Sequence, residues 1–169
     1  MFNTGDYVVY CSGEICLVAE KTERSFGGTE KKEYCKLIPI DAVNSVYYVP
    51  AENMADKSRR MMTKEEILTI IDGIPQTKNV WYSDKKERKS CFDAILKSDD
   101  ISGIIGMMKS IYEEREKRTA DGKRLVASDE KALSAAEHML HREFAFVLGI
   151  KESDVGRFIS GRLENIGKS

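Results

Sequence analysis

Residues 78–98 read KNVWYSDKKERKSCFDAILKS and contain Trp81, the only tryptophan of the chain. Asp84 and Glu87 follow it with the spacing of a capping box, which marks the start of a helix. Apolar residues then recur at helical spacing, at Cys91, Phe92, Ile95 and Leu96. The stretch therefore predicts an amphipathic helix that begins just after Asp84, with a large aromatic residue directly ahead of it.

The same stretch is locally basic. Between Lys78 and Lys97 there are six Lys or Arg residues and three Asp or Glu residues, a local charge of 6 − 3 = +3, whereas the chain has a net charge of -1. Cations neutralise phosphates, and an aromatic ring can stack on bases or wedge between them. Alternatively, Trp81 is a hydrophobic plug that fixes the preceding linker to the helix. The residues leave both roles open.

Upstream of this stretch, the first fifty residues have the composition of β-strands. Short β-branched and aromatic runs at 7–10, 15–23, 33–40 and 46–49 alternate with turn residues. They predict a small, strongly bent antiparallel sheet or SH3-like barrel. Tyr47 is expected to point to the opposite face from the next residue, Tyr48, so that one of the two is available to a partner. An edge strand of this kind can accept a strand from another protein.

Downstream, the hydrophobic period becomes helical. A polar connector at 51–62 is followed by Thr63 and Glu66, a second capping-box pair. Further apolar stripes predict helices near 101–118, 128–148 and 153–164, the second of them capped by Ser128 and closed by Gly149. We therefore predict an α+β protein of two domains, a small SH3/Tudor-like β domain at 1–62 and a compact all-α bundle at 63–169.

Composition narrows the class of protein. Hydrophobic residues make up 41% and charged residues 33% of the chain, and no apolar run approaches the roughly 18 residues of a membrane span. The N-terminus lacks a signal-peptide pattern, so we expect a cytoplasmic protein with reduced cysteines. A CxxC pair and a catalytic motif are absent from the sequence, and His138 and His141 have no identifiable third metal ligand. We therefore expect that the protein is not an enzyme and binds no metal or cofactor. The alternative from a different functional class is a thiol or metal enzyme.

A series of residues through both halves follows the order of a known family. It comprises Gly5-Asp6-Tyr7-Val8-Val9-Tyr10, Lys32-Glu33-Tyr34, Tyr48-Val49-Pro50, Trp81, Arg88, Phe92, Ile95-Leu96-Lys97-Ser98-Asp99-Asp100, Asp129-Glu130 and Leu148-Gly149-Ile150. In these residues the chain resembles the CarD/CdnL family of bacterial RNA polymerase-binding transcription regulators. It departs from many members at Cys11-Ser12-Gly13, where they have Pro-x-His-Gly, and at Tyr48, where they have a basic residue.

The resemblance implies a Tudor-like N-terminal domain, similar to the polymerase-interaction domain of transcription-repair coupling factor, that docks on the RNA polymerase β subunit. The residues it implies for docking are Tyr47, Tyr48, Val49 and Arg24. It also implies a helical domain that contacts promoter DNA weakly and locally at the upstream edge of the melted bubble. There Trp81 would wedge in the minor groove, with phosphate contacts from Lys85, Lys86, Arg88 and Lys89.

The expected function is thus a monomeric, non-enzymatic transcription regulator that stabilises the open complex. The alternative is an adaptor that docks on polymerase and recruits another protein, with Trp81 only structural.

Overall fold

The computed structural model describes residues 1–11, 13–28, 30–42, 44–98 and 100–168. Its chain divides into two compact units, Met1–Met62 and Thr63–Ser169. A five-stranded antiparallel sheet lies in the first unit and the second is helical, which confirms the predicted α+β class for the described residues. Ser12, Thr29 and Val43, which lie among the turn residues between the predicted strands, and Asp99, which belongs to the family pattern, are outside the described residues.

The described residues form five strands: β1 (Tyr7–Tyr10), β2 (Glu14–Arg24), β3 (Lys32–Pro39), β4 (Tyr47–Pro50) and β5 (Ser58–Arg60). Their order is β4-β3-β2-β1-β5, so that β4 and β5 are the two edges. Alternate residues of each strand share a face, and the inner face supplies a core that includes Val8, Val18, Leu37 and Val49. An irregularity between Val18 and Glu20 changes the register of β2 against β3.

The connector predicted at 51–62 is more ordered than its polar composition indicates. It contains a 3-10 turn (Ala51–Asn53), the short helix α1 (Met54–Lys57) and β5. Met54 is 4% exposed in the sheet core, and Ser58 pairs with Tyr10 of β1. Ser, Arg and Arg have little intrinsic preference for a strand, so the pairing with β1 determines β5.

Five helices form the described part of the second unit: α2 (Lys64–Gly73), α3 (Lys85–Lys97), α4 (Ile101–Ala120), α5 (Ala127–Leu148) and α6 (Val155–Gly167). Two 3-10 turns, Ile74–Gln76 and Glu152–Asp154, follow α2 and precede α6. The core contains large residues from several helices, including Ile67, Phe92, Ile104, Met107, Leu133 and Phe144. Among the described residues, none of the helices is long and apolar enough to cross a membrane.

Most predicted helix ends are observed, with one correction. The Thr63 and Glu66 capping box is present, and Asp84 accepts hydrogen bonds from two backbone N–H groups at the start of α3. α5, however, begins after Val126, which offers no side-chain cap, so the prediction of a cap at Ser128 is wrong.

Candidate functional site

The segment that carries Trp81 runs close along α4. The backbone N–H of Val80 donates to Ser110 Oγ at 2.9 Å. At Gly106 the two backbones approach so closely that a Cβ atom would lie 2.4 Å from the carbonyl oxygen of Lys78. A glycine in α4 thus allows the extended segment to lie on the helix, which fixes the backbone that leads into Trp81.

The indole of Trp81 is partly buried. Its ring centroid is 6.3 Å from that of Phe92, at an interplanar angle of 57°, and the guanidinium carbon of Arg88 lies 4.3 Å from the indole centroid. Phe92 is 1% exposed and belongs to the core. Trp81 therefore contacts the core and still presents surface to solvent, a position between the two roles that the sequence left open.

Arg88 holds this arrangement from inside the unit. It is 4% exposed, and its Nε and Nη2 donate to the two carboxylate oxygens of Asp129 at 3.0 and 2.9 Å. Its Nη1 donates to the backbone carbonyls of Tyr82 at 2.8 Å and Ser83 at 3.3 Å. The guanidinium is thus engaged on all sides, and the predicted phosphate contact of Arg88 is not supported by this placement. Arg88 instead ties α3, α5 and the Trp81 segment together.

The three lysines predicted to contact phosphates are all exposed on α3. Lys85 and Lys86 belong to the first turn of the helix, directly after the cap at Asp84. Lys89 lies one turn further and donates from Nζ to Asp93 Oδ2 at 2.6 Å, in an exposed ion pair. These ammonium groups are accessible to a polyanion. Because the ion pair between Lys89 and Asp93 is exposed, breaking it to bind a phosphate costs little free energy.

A second cluster lies on the outer face of the sheet, and we call Arg24, Phe26, Tyr34 and Tyr48 the aromatic face. Phe26 is 57% exposed, and its ring centroid lies 5.0 Å from that of Tyr34 and 5.7 Å from that of Tyr48. The guanidinium carbon of Arg24 lies 4.3 Å from the centroid of Tyr48. Aromatic and arginine side chains are the residues that most often dominate protein interfaces.

The sequence singled out Arg24 and Tyr48 but missed the other two members of the aromatic face. Phe26 lies between two of the predicted strands, and the sequence predicts no binding role for Tyr34. The register brings them together, because Tyr34 pairs with Pro50 and Lys36 with Tyr48 across β3 and β4. The sequence did contain one signal for this arrangement. Tyr34 and Lys36 are two residues apart in β3 and therefore lie on the same face of the strand, the face of Tyr48, which pairs with Lys36.

Tyr47 and Val49 face the other side of the sheet, so the opposed orientation of Tyr47 and Tyr48 is observed. Val49 is 3% exposed in the core. Tyr47 stacks on Tyr10 with centroids 5.6 Å apart, and its hydroxyl donates to a carboxylate oxygen of Glu14 at 3.4 Å. The negative charge of Glu14 raises the pKa of Tyr47. These two residues support the edge strand β4, and a partner would reach that strand through its backbone.

The remaining reactive side chains are dispersed. The four cysteines, all of them described, are free thiols, and burial raises the pKa of Cys35. His138 Nδ1 lies 3.2 Å from Glu152 Oε1, whereas burial lowers the pKa of His141. Within the described residues, no group of three or more His, Cys, Asp and Glu side chains could hold a metal ion.

No family model matches the chain, and no curated protein sequence matches it significantly. The likeness to the CarD/CdnL family thus rests on the residue pattern alone. What the two surfaces do must be inferred from their own geometry.

Proposed function

We propose that the chain is a transcription regulator that docks on the RNA polymerase β subunit and stabilises the promoter open complex. The observation that carries the proposal is the placement of Trp81. Its indole is partly exposed, fixed by the buried Arg88 and followed at once by the basic first turn of α3. A rigidly held aromatic loses little conformational freedom on binding.

The proposed DNA contact works by a difference in affinity between two states of the promoter. Stacking of a base on an aromatic side chain contributes about 1–3 kcal/mol, and Trp81 gains this only where the bases are already unstacked. Its contact therefore favours melted over closed DNA, which shifts the equilibrium toward the open complex. Lys85, Lys86 and Lys89 contribute phosphate contacts whose strength falls as salt rises.

The proposed polymerase contact uses the aromatic face and the neighbouring edge strand. β4 is an edge of the sheet, so its outward backbone groups can pair with a strand of the β subunit. Phe26 and Tyr48 would anchor that partner from the outer face. Docking on polymerase then raises the effective concentration of the helical unit at the promoter, which makes a weak DNA contact sufficient.

Trp81→Ala tests the DNA contact, with Tyr82→Ala as the matched control because Tyr82 is the adjacent aromatic and is 45% exposed. The lifetime of the open complex is measured with purified polymerase after addition of a competitor. We expect Trp81→Ala to shorten it by about 5- to 150-fold, the kinetic equivalent of the 1–3 kcal/mol of one stacked base. Tyr82→Ala should leave it nearly unchanged.

If Trp81→Ala folds, binds polymerase and leaves the open-complex lifetime unchanged, the wedge is wrong. The contact between Trp81 and Phe92 then has a structural role, and the adaptor becomes the better interpretation.

The docking contact is tested separately by Phe26→Ala and Tyr48→Ala, each expected to weaken binding to the β subunit by about 10-fold or more. Val46→Ala is the control, since Val46 is exposed and lies just before β4.

A further inference from the structure

The helical unit contains a groove that neither proposed contact uses. It lies between α4, α5 and α6 and has a volume of about 560 Å³. Its floor consists of side chains from α4 and α5 that are at most 8% exposed: Ile105, Met108, Leu140 and Phe144. Ile159 and Leu163 of α6 form a half-buried apolar wall. The groove thus has an apolar interior that is still accessible from solvent.

Small residues on α6 keep the groove open. Gly156 and Ser160 are one helical turn apart, line the groove and are exposed. A Cβ atom added at Gly156 would meet no other atom within 4 Å. A longer side chain at either position would occupy the space that is open in this structure, without displacing the backbone of a neighbouring helix.

The charges that line the groove cancel, since Lys109 and Arg115 are matched by Glu113 and Glu116. Such a lining does not favour a ligand of either sign. Hydrogen-bonding capacity comes from the Ser160 hydroxyl and from the imidazole of His141. Burial lowers the pKa of His141, so at neutral pH its ring is neutral and offers one donor and one acceptor.

The groove has the size of a small-molecule site. Its volume of about 560 Å³ lies within the range of about 300–1,000 Å³ typical of such sites, which are mainly apolar clefts with a few polar groups.

We propose that this groove binds a small, neutral, mainly apolar molecule with a single polar group. The apolar part lies on Met108, Leu140 and Phe144, and the polar group bonds to Ser160 or His141. The proposal does not depend on the proposed function, because it concerns surfaces of α4, α5 and α6 that the Trp81 contact does not use.

Octan-1-ol is a suitable probe, because it is neutral, has one hydroxyl and forms no micelles. It is titrated into the ¹⁵N-labelled full chain, and amide shifts are followed by NMR, with octanoate and octylammonium as charged counterparts of the same length. We expect saturable shifts around Gly156, Ser160 and His141. Both charged probes should bind at least about tenfold more weakly, because neither charge finds an uncompensated partner in the groove.

Gly156→Phe fills the groove and should weaken octan-1-ol binding by at least about tenfold. Gly161→Phe is the matched control: it lies on the same helix, also in open space, and lines a different surface depression. Ser160→Phe is a second blocking variant should Gly156→Phe fail to fold. Three results would each overturn the proposal: no saturable shifts, octanoate or octylammonium binding as tightly as octan-1-ol, or equal loss in the blocking and control variants.

Discussion

Asp129→Ala removes one partner of the buried ion pair that fixes the Trp81 segment. The side chains of Arg88 and Asp129 are 4% and 2% exposed, and their closest atoms are 2.9 Å apart. Without the carboxylate, the Arg88 charge stays buried with only the carbonyls of Tyr82 and Ser83 as acceptors. Breaking such a pair costs about 3–5 kcal/mol. At about 4–8 °C per kcal/mol, the unfolding midpoint of the helical unit should fall by roughly 12 to 40 °C.

Urea unfolding followed by tryptophan fluorescence measures this loss directly. Trp81 is the only tryptophan and lies 4.3 Å from the Arg88 guanidinium carbon, so its emission reports the helical unit. Asp93→Ala is the control, because it removes the same side chain from the exposed Lys89 pair, where the partners are 61% and 49% exposed. That substitution should cost only about 0.3–0.5 kcal/mol.

The double variant Arg88→Met with Asp129→Leu sharpens the test. Apolar residues can replace a buried ion pair at little or no cost, so most of the lost stability should return. The reasoning is refuted if Asp129→Ala costs less than about 1 kcal/mol, or if Asp93→Ala costs as much, because either result would show that burial does not set the energy of the pair.

Three further variants test other parts of the helical unit. Burial lowers the pKa of His141 in the folded protein below its ordinary 6.5. The contribution of His141 to the unfolding free energy is therefore fully present above pH 6.5 and is lost as the pH falls through the folded pKa. His141→Gln should flatten this pH dependence in urea titrations between about pH 7.5 and pH 5. Gly106→Ala would place a Cβ atom 2.4 Å from the Lys78 carbonyl oxygen; we expect a loss of about 1–3 kcal/mol and a shift in Trp81 emission, and unchanged values would contradict the close approach. Thr63→Ala removes the acceptor for the Glu66 N–H at 3.1 Å and should cost about 1 kcal/mol of unfolding free energy.

Local patterns predicted much of the fold. The runs at 7–10 and 33–40 and the stripes of α3 to α6 were correctly placed, because strand and helix periods are visible within a single element. The capping signals at Thr63 and Asp84 were equally local, since cap and helix lie within a few residues. β5 was not predicted, because its residues have no strand pattern of their own and acquire one only beside β1.

In the candidate sites, too, local sequence predicted some features and only the tertiary structure decided others. The sequence by itself determined that Trp81 precedes a basic helix start and that Tyr47 and Tyr48 face opposite sides of one strand. It could not assign Arg88, which has the same local surroundings as Lys85, Lys86 and Lys89. Only the tertiary structure placed Asp129, 41 residues away, against its guanidinium, which itself lies over the indole of Trp81. Burial and long-range pairing decided the role of Arg88 in the structure. Both depend on residues that are distant in sequence, and local periodicity carries no information about them.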